Sequence, residues 1–219
     1  MTTGIWAEIG KGIYETLYMT FISTGVAYMI GLPLGVLLFT TRKSKYWLAQ
    51  YANGVLGTVV NILRSVPFLI LMIFVIPLTK AIIGKSYGSV ATIVPLTIAA
   101  FPFVSRMVES ALNEVDGGVI EAAHSMGASM MQIIRKVLLP EAMPALINGA
   151  TITITNVLGY SAMAGAIGGG GLGAIAINHG YYRFNTTTMI YCIAILVALV
   201  MGIQFVGTKS SILSDHRLR

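Results

Sequence analysis

Long apolar segments separated by short polar ones dominate the pattern along the chain. Five windows are long enough to cross a bilayer, which takes roughly 20 mostly apolar residues. The pattern therefore predicts an all-α integral membrane protein with five transmembrane helices in one domain over residues 1–219. The predicted core covers residues 16–208, and a polar loop at 113–141 interrupts it. The predicted spans are residues 16–41, 55–79, 86–109, 142–166 and 184–208.

The fourth window contains two misleading patterns. The segment Thr151–Thr155 alternates Thr and Ile, as a strand would. An isolated strand in a bilayer leaves its backbone unsatisfied, so we predict a helix there. The following run, Gly168–Gly173, formally matches G-x-G-x-x-G, but no strand precedes it. A dinucleotide site is therefore not indicated, and we expect a flexible external loop.

Composition and charge agree with a membrane protein and orient it. The chain is 56% hydrophobic and 10% charged, which excludes a soluble surface. The net charge of +6 reflects basic residues grouped in alternate loops, and it does not indicate nucleic acid. Because cytoplasmic loops are rich in Lys and Arg, the N-terminus is predicted outside and the C-terminus inside. We expect no removable signal peptide. The inner group is Arg42, Lys43, Lys45, Arg135, Lys136, Lys209, Arg217 and Arg219; the outer group is Lys11, Lys80, Lys85 and Arg183.

The loop between the third and fourth spans has its own local signals. Asp116 is placed to cap a first short helix, and Gly127 allows a sharp turn after it. Ser129 and Gln132 have the spacing of a capping box, which predicts a second helix from about residue 130. Pro140 should end that helix. Two short helices at an angle would form a knob for a soluble partner; the alternative is a plain amphipathic hairpin at the membrane interface.

The same loop resembles the "EAA" loop of bacterial ABC-importer permeases. That pattern is Glu-Ala-Ala, three residues, Gly, and an Ile/Val-x-Leu-Pro ending about nine residues later. Here it is formed by Glu121, Ala122, Ala123, Gly127, Val137, Leu139 and Pro140. In that family the loop docks on a separate ATPase. The resemblance therefore implies that the coupling residues are Glu121, Ala122, Ala123, Gly127, Ala128, Ser129 and Pro140.

Most of the chain is similar to the methionine-importer permeases of bacteria. The resemblance rests on Asn61–Ile70, Ile93–Leu112, the Glu121–Pro140 loop and Leu158–Gly173. It implies a type I ABC-importer permease fold in the bacterial inner membrane. It further implies a homodimer, two copies of an ATPase subunit that bind ATP and Mg²⁺, and an external methionine-binding receptor. The chain itself would be no enzyme and would hold no cofactor.

Three other functions were weighed against this resemblance. The first is an ABC permease for another amino acid or for a phosphonate-like solute, which the sequence alone does not separate from a methionine permease. The second is a secondary transporter, which usually carries carboxylates or paired charges inside the membrane; no Asp or Glu lies deep in a predicted span. The third is a membrane enzyme, for which no nucleophile–base or metal constellation is found.

The candidate translocation path uses polar and small residues of the second and fourth spans. Arg64 and Ser65 belong to an Arg-Ser-x-Pro-Phe stretch that resembles the second-helix motif of amino-acid-type ABC permeases. For Arg64 the alternative is snorkelling to the headgroups; for the fourth span it is helix packing by small residues. The path candidates are Arg64, Ser65, Asn148, Thr151, Thr155, Gly159 and Ser161.

A few remaining residues have simpler interpretations. Gly31 and Gly35 have the spacing that lets another helix approach closely, which also occurs by chance. Arg106 and Glu109 are expected to form a solvated pair of little energetic consequence. The single Cys192 allows no intrachain disulfide. His124, His179 and His216 are scattered, so no metal site is predicted.

Overall fold

The computed structural model describes residues 2–42 and 46–215, and every regular element in these ranges is helical. The sequence-based placements of Lys43, Lys45, His216, Arg217 and Arg219 lie outside the described residues. The long helices are α1 (Thr2–Arg42), α2 (Trp47–Ser65), α5 (Ser89–Asn113), α9 (Met143–Ala164) and α11 (Thr186–Ser214). The short ones are α3 (Phe68–Phe74), α4 (Ile76–Ile83), α6 (Gly117–Ser125), α7 (Met130–Ile133), α8 (Leu139–Glu141) and α10 (Gly171–Ile175).

The number of spans matches the prediction if a bent pair of helices counts as one. In the described residues, four helical segments are long and apolar enough to cross a membrane, and α2 with α3 makes the fifth. The segment Thr151–Thr155 is helical within α9, as predicted. The helix α1 has 41 residues and begins well before the predicted start at residue 16. Its extra turns carry Glu8 and Glu15, whose side chains find partners outside the helix.

The second span is not the single helix over residues 55–79 that the sequence predicts. The chain bends by 102° between α2 and α3, and α4 follows as a separate short helix. Pro67 supplies no backbone N–H, and the preceding Val66 takes an extended conformation (φ −77°, ψ 125°). A residue before proline is pushed out of the helical region, which gives the break its physical cause.

The centre of the bundle is the contact between α1 and α5. A Cβ atom at Gly31 would come within 2.8 Å of the Phe101 carbonyl oxygen, and one at Gly35 within 2.6 Å of the Ser105 carbonyl oxygen. The two backbones therefore touch through these glycines, which confirms the predicted close approach. Because lipid is as apolar as the side chains, such close van der Waals packing is what holds membrane helices together. Leu96, Val104 and Val108 of α5 are fully buried.

The glycine-rich segment after α9 forms a compact hairpin, so the predicted flexible loop is wrong. A Cβ atom at Gly165 would overlap the backbone of Ala174, and one at Gly173 would overlap the Ala162 carbonyl. The turn uses positive φ at Gly168 (84°) and at Gly170 and Gly171. Here glycine permits close contact between two backbone segments. It does not make the segment flexible, as the sequence pattern predicts.

The hairpin is also fixed to α1 by side-chain caps. The Gly171 N–H donates to Glu15 Oε2 at 2.9 Å, and the Leu172 N–H donates to Thr16 Oγ1 at 2.9 Å. Nearby, Glu8 Oε2 lies 3.0 Å from His179 Nε2. The N-terminal part of α1 and the hairpin therefore share one end of the bundle.

The opposite end gathers the termini of five elements. Asn53 of α2 donates to the Leu38 carbonyl of α1 at 2.6 Å, and Ser211 of α11 donates to the Pro144 carbonyl at 2.9 Å. Arg42 and Glu109 also meet there. Among the described residues, this grouping places members of the two predicted basic sets, such as Arg42 and Lys11, at opposite ends of the bundle. The direction of the bundle across the membrane stays a prediction.

The pair of Arg106 and Glu109 is more than the solvated contact expected from spacing. Glu109 is only 6% exposed and accepts from Arg106 Nη1 at 2.5 Å. Arg106 also donates to the Gly57 carbonyl at 2.9 Å and to Asn61 Oδ1 at 3.2 Å on α2. This pair therefore joins α5 to α2, and burial makes it costly to break. Spacing alone gives no information about such burial.

Candidate functional site: a projecting knob and an open helix face

Residues 116–141 form a projecting structure, which we call the knob. Asp116 caps α6: the Gly118 N–H donates to its Oδ1 at 2.6 Å. At the far end, the Ala128 N–H reaches the Ala123 carbonyl at 3.1 Å and the Gly127 N–H reaches the His124 carbonyl at 2.9 Å. These two bonds define a Schellman motif, which needs a left-handed residue at its turn. Gly127 takes that role with φ +78°.

The second part of the knob begins where the capping box predicts. The Ser129 N–H donates to Gln132 Oε1 at 2.8 Å, and the Gln132 N–H donates to Ser129 Oγ at 3.4 Å, so that α7 starts at Met130. Pro140 does not end the helix as predicted. The chain passes through a π-helical turn at Ile134–Leu138 and places Pro140 in the first turn of α8. A proline in the first turn of a helix breaks no backbone hydrogen bond, because an N–H at that position would have no partner within the helix.

The knob has a buried base and an exposed outer surface. Ile133 and Leu138 are fully buried, and Ala123 is 4% exposed; all three belong to the core cluster that includes Phe39 of α1. Glu121, Ala122, Gly127, Ser129 and Pro140 are exposed, and Ala128 is half-buried. Of the predicted coupling residues, Ala123 therefore holds the knob together, while the others lie on or near its surface.

Three exposed methionines on the knob were not selected by the sequence analysis. Met126 is 81% exposed, Met130 49% and Met131 57%. Methionine is flexible and polarisable, and it is common on surfaces that adapt to a partner. Exposed apolar groups beside charged ones mark protein contact sites, and Arg135 and Lys136 are exposed nearby. The signal was present in the loop as three Met residues within six positions.

The exposed face of α9 differs from the polar stripe that the sequence predicts along this helix, namely the path candidates Asn148, Thr151, Thr155, Gly159 and Ser161. Thr151 is buried and lies against Gly207 of α11. Ser161 is also buried, with its hydroxyl bonded to the Leu158 carbonyl at 2.7 Å. Both positions contradict the expectation that they line a path, and Thr155 is only half-buried. The exposed residues at helical spacing are Asn148, Ile152, Asn156, Gly159 and Met163.

The observed open face is rotated by roughly 50° about the helix axis from the predicted one. It keeps Asn148 and Gly159 and adds Asn156. Sequence spacing chose the small residues together, but small residues also suit helix packing, and Thr151 serves that purpose. Asn148 lies at the knob end, where it lines a cavity of about 250 Å³ with Glu114, Glu141 and Asp215.

The bend between α2 and α3 forms a second cavity, of about 220 Å³. Arg64 lies beside it with its guanidinium carbon 5.7 Å from the centre of the Phe103 ring. Across the cavity, Phe68 and Tyr160 stack with ring centres 4.6 Å apart. Ser65 is exposed and donates to the Asn61 carbonyl at 2.8 Å. At this bend, which the sequence did not predict, Arg64 thus meets α5 and Phe68 meets α9.

Comparison with known proteins decides the family. The family of binding-protein-dependent transport system inner membrane components matches residues 27–208. The chain belongs to this family of ABC-importer permeases. It is a multi-pass protein of the bacterial inner membrane. The predicted resemblance to bacterial methionine-importer permeases is thereby confirmed.

The two relatives described here are similar to this permease over 93% and 71% of its length. A probable D-methionine transport system permease protein MetI of Vibrio cholerae is 52% identical over 204 residues, which cover 93% of this chain and 91% of that protein. A D-methionine transport system permease protein MetI of Escherichia coli K12 is 52% identical over 155 residues, or 71% of each chain.

Solved structures give the same result for the fold of this permease. A chain of the inward-facing MetNI methionine ABC transporter is 47% identical, with a TM-score of 0.96 over 99% of this chain and 100% of that one. A chain of an amino acid ABC transporter solved with histidines shares only the fold, at 19% identity and a TM-score of 0.79 over 96% and 95% of the two chains.

Proposed function

We propose that this permease is the membrane subunit of an ATP-driven importer of methionine, including the D-isomer. The observation that carries the proposal is its 52% identity, over 93% of the chain, to a probable D-methionine permease. The resemblance of the Leu158–Gly173 segment and of the compact five-span length to methionine-importer permeases points the same way. Another amino acid or a small polar solute is the alternative cargo.

The knob is the proposed contact with a separate ATPase. The backbone of the knob is fixed by a helix cap, a Schellman motif and a capping box. A displacement of its surface by the ATPase would therefore be transmitted to its base. That base lies in the same apolar cluster as Phe39 of α1 and Val108 of α5. ATP and Mg²⁺ would bind to the ATPase, of which two copies serve two copies of this chain.

A second copy of this chain is proposed to cover the open face of α9. Asn148 and Asn156 are exposed there, among apolar residues. Exposed amide groups are costly in hydrocarbon, and polar groups in spans face the protein interior or water. The path is accordingly proposed to run along Arg64, Ser65, Asn148, Asn156 and Gly159, between two copies. The receptor would deliver methionine at the end formed by the glycine hairpin.

ATP-dependent uptake tests the proposal directly. The permease would be reconstituted in liposomes with its ATPase and its receptor, and uptake of labelled D- and L-methionine measured with ATP inside or outside. We expect uptake only when ATP is on the knob side, and competition by unlabelled methionine. Uptake of a different amino acid with no competition by methionine would show that the cargo is not methionine. The protein would still be an ABC-importer permease.

A membrane ion gradient provides the control for the mechanism. A secondary transporter would take up cargo with an imposed proton or sodium gradient in the absence of ATP. We expect no uptake under that condition. Gradient-driven uptake by the permease alone would contradict the ABC-importer mechanism.

A further inference from the structure

We propose that the cavity at the α2–α3 bend binds the cargo inside the membrane. In this site Arg64 holds the carboxylate of an amino acid, and the stacked rings of Phe68 and Tyr160 hold its thioether side chain. This inference rests on the proposed function, because it assumes methionine as cargo.

Arg64 meets α5 well away from both ends of that helix. Its guanidinium lies on Phe103, which is ten residues from the last residue of α5 and fourteen from the first. At 1.5 Å per residue these separations are about 15 and 21 Å. Arg64 therefore lies within the span that α5 forms rather than at either end of it.

The charge of Arg64 has no protein counter-ion in the part of the chain that the structure describes. Ion pairs among the described residues, such as Lys11 with Glu15 and Arg106 with Glu109, do not include Arg64. Arg64 is exposed towards the cavity. An unpaired cation at this depth is costly and marks a substrate or ion pathway. A planar guanidinium is suited to bind a carboxylate through two parallel hydrogen bonds.

The aromatic part of the cavity lining is suited to a thioether. Phe68 is 8% exposed and stacks on Tyr160 with an angle of 10° between the rings. Sulfur makes favourable contacts with aromatic rings at about 5 Å. Leu63, Val66, Leu71 and Ala99 also line the cavity. The cavity of about 220 Å³ is smaller than the 300–1,000 Å³ typical of sites for drug-sized ligands, which fits a single amino acid.

The bend supplies acceptors for the ammonium group of the same ligand. The last four carbonyl groups of a helix have no partner within that helix, and α2 ends at Ser65 beside the cavity. The C-terminal end of a helix also carries partial negative charge. Leu63 and Arg64 line the cavity at this end. The cavity therefore offers groups for both charges of a zwitterion, and Phe68 and Tyr160 add aromatic surface to its lining.

The test uses the complete transporter in liposomes with Arg64→Gln and Arg64→Lys. We expect Arg64→Gln to assemble and to keep its receptor-stimulated ATP hydrolysis, but to lower methionine uptake at least ten-fold. Arg64→Lys keeps the charge without the planar fork and should recover part of the uptake. Lys80→Gln, an exposed cation on α4, is the matched control and should leave uptake unchanged. Arg64→Gln uptake within two-fold of wild type would overturn the proposal.

Photo-crosslinking locates the ligand independently of the rate of transport. A diazirine analogue of methionine, added to the same complex, should label peptides that contain residues 63–71 and 156–160. Excess methionine should remove the label, and Arg64→Gln should lower it at least ten-fold. Label confined to other segments or to the partner subunits would overturn the site, even if uptake is normal. A wild-type complex that takes up no methionine would instead contradict the proposed function.

Discussion

Gly207 of α11 lies against Thr151 of α9 so closely that a Cβ atom at position 207 would overlap the threonine side chain. The Thr151 hydroxyl is satisfied within α9 by the Ile147 carbonyl at 2.9 Å. The contact with Gly207 is therefore van der Waals packing, and it fixes how α9 is rotated against α11. That rotation turns Asn156 and Gly159 outward and Thr151 inward.

The substitution Gly207→Ala should lower the stability of the permease. Overpacking a tight contact costs roughly 1–3 kcal/mol, which exceeds the gain of about 1 kcal/mol in helix propensity. Gly202 lies on the same helix with no atom within 4 Å of a Cβ built there, so Gly202→Ala should be neutral or slightly stabilising. Thermal unfolding of the two variants in detergent measures the difference. Equal melting temperatures would show that the contact with Thr151 does not exist.

Cysteine accessibility should distinguish the open face of α9 from its packed face. In a Cys192→Ala background, a cysteine at Asn156 should react with a small polar thiol reagent in the assembled transporter. A cysteine at Thr151 should react slowly in every nucleotide state, because α11 covers it. The rates would be compared with and without ATP, since an alternating path changes reactivity. Fast reaction at Thr151 with slow reaction at Asn156 would show that the face predicted from sequence spacing, and not the observed one, lines the path.

The turn at Gly127 should be essential for coupling. Its φ of +78° costs an ordinary residue roughly 1–2 kcal/mol, and a β-branched residue more. Gly127→Val should therefore distort the knob, while the chain still inserts in the membrane. We expect weak co-purification with the ATPase and loss of most transport. Gly117 begins α6 with no atom within 4 Å of an added Cβ, and Gly117→Val is the matched control. A Gly127→Val complex that assembles and transports like wild type would refute the coupling role.

The buried pair of Arg106 and Glu109 should matter more for stability than surface pairs do. Glu109→Gln leaves the Arg106 charge without its partner, and losing one member of a buried pair costs roughly 3–5 kcal/mol. A double variant with methionine at both positions should lie closer to wild type, since no unpaired charge remains. Melting temperatures of Arg106→Met, Glu109→Met and the double variant give the coupling between the two residues. Additive losses would show that the two side chains act independently.

The knob could be predicted from sequence because its signals are local. Asp116, Gly127 and the Ser129–Gln132 pair each act within a few residues, and the structure places all three as predicted. The family resemblance and the five-span fold were predicted as well. The position of Pro140 in the first turn of α8 was not predicted. The local sequence does not distinguish a proline in the first turn of a helix from one that ends the helix before it.

The rest of the candidate site depends on contacts distant in sequence. Pro67 indicates a break, but only packing against α5 and α9 sets the 102° angle that brings Arg64 to Phe103 and Phe68 to Tyr160. The direction in which α9 faces depends on Gly207, more than fifty positions away from Thr151. Likewise, Glu109 meets Arg42 of α1, and its partner Arg106 meets Gly57 of α2. Periodicity identifies a face of a helix, but it does not identify the neighbour that covers it.

Site-specific crosslinking from the knob tests most directly that this permease is driven by a docked ATPase. A photoreactive amino acid would replace Met126, which is 81% exposed at the turn of the knob, and separately Met201, which is 64% exposed on α11. After illumination of the assembled transporter, the Met126 variant should crosslink to the ATPase subunit, and the yield should change with ATP. The Met201 variant should not crosslink to it. Crosslinking to the ATPase from Met201 and none from Met126 would contradict the account.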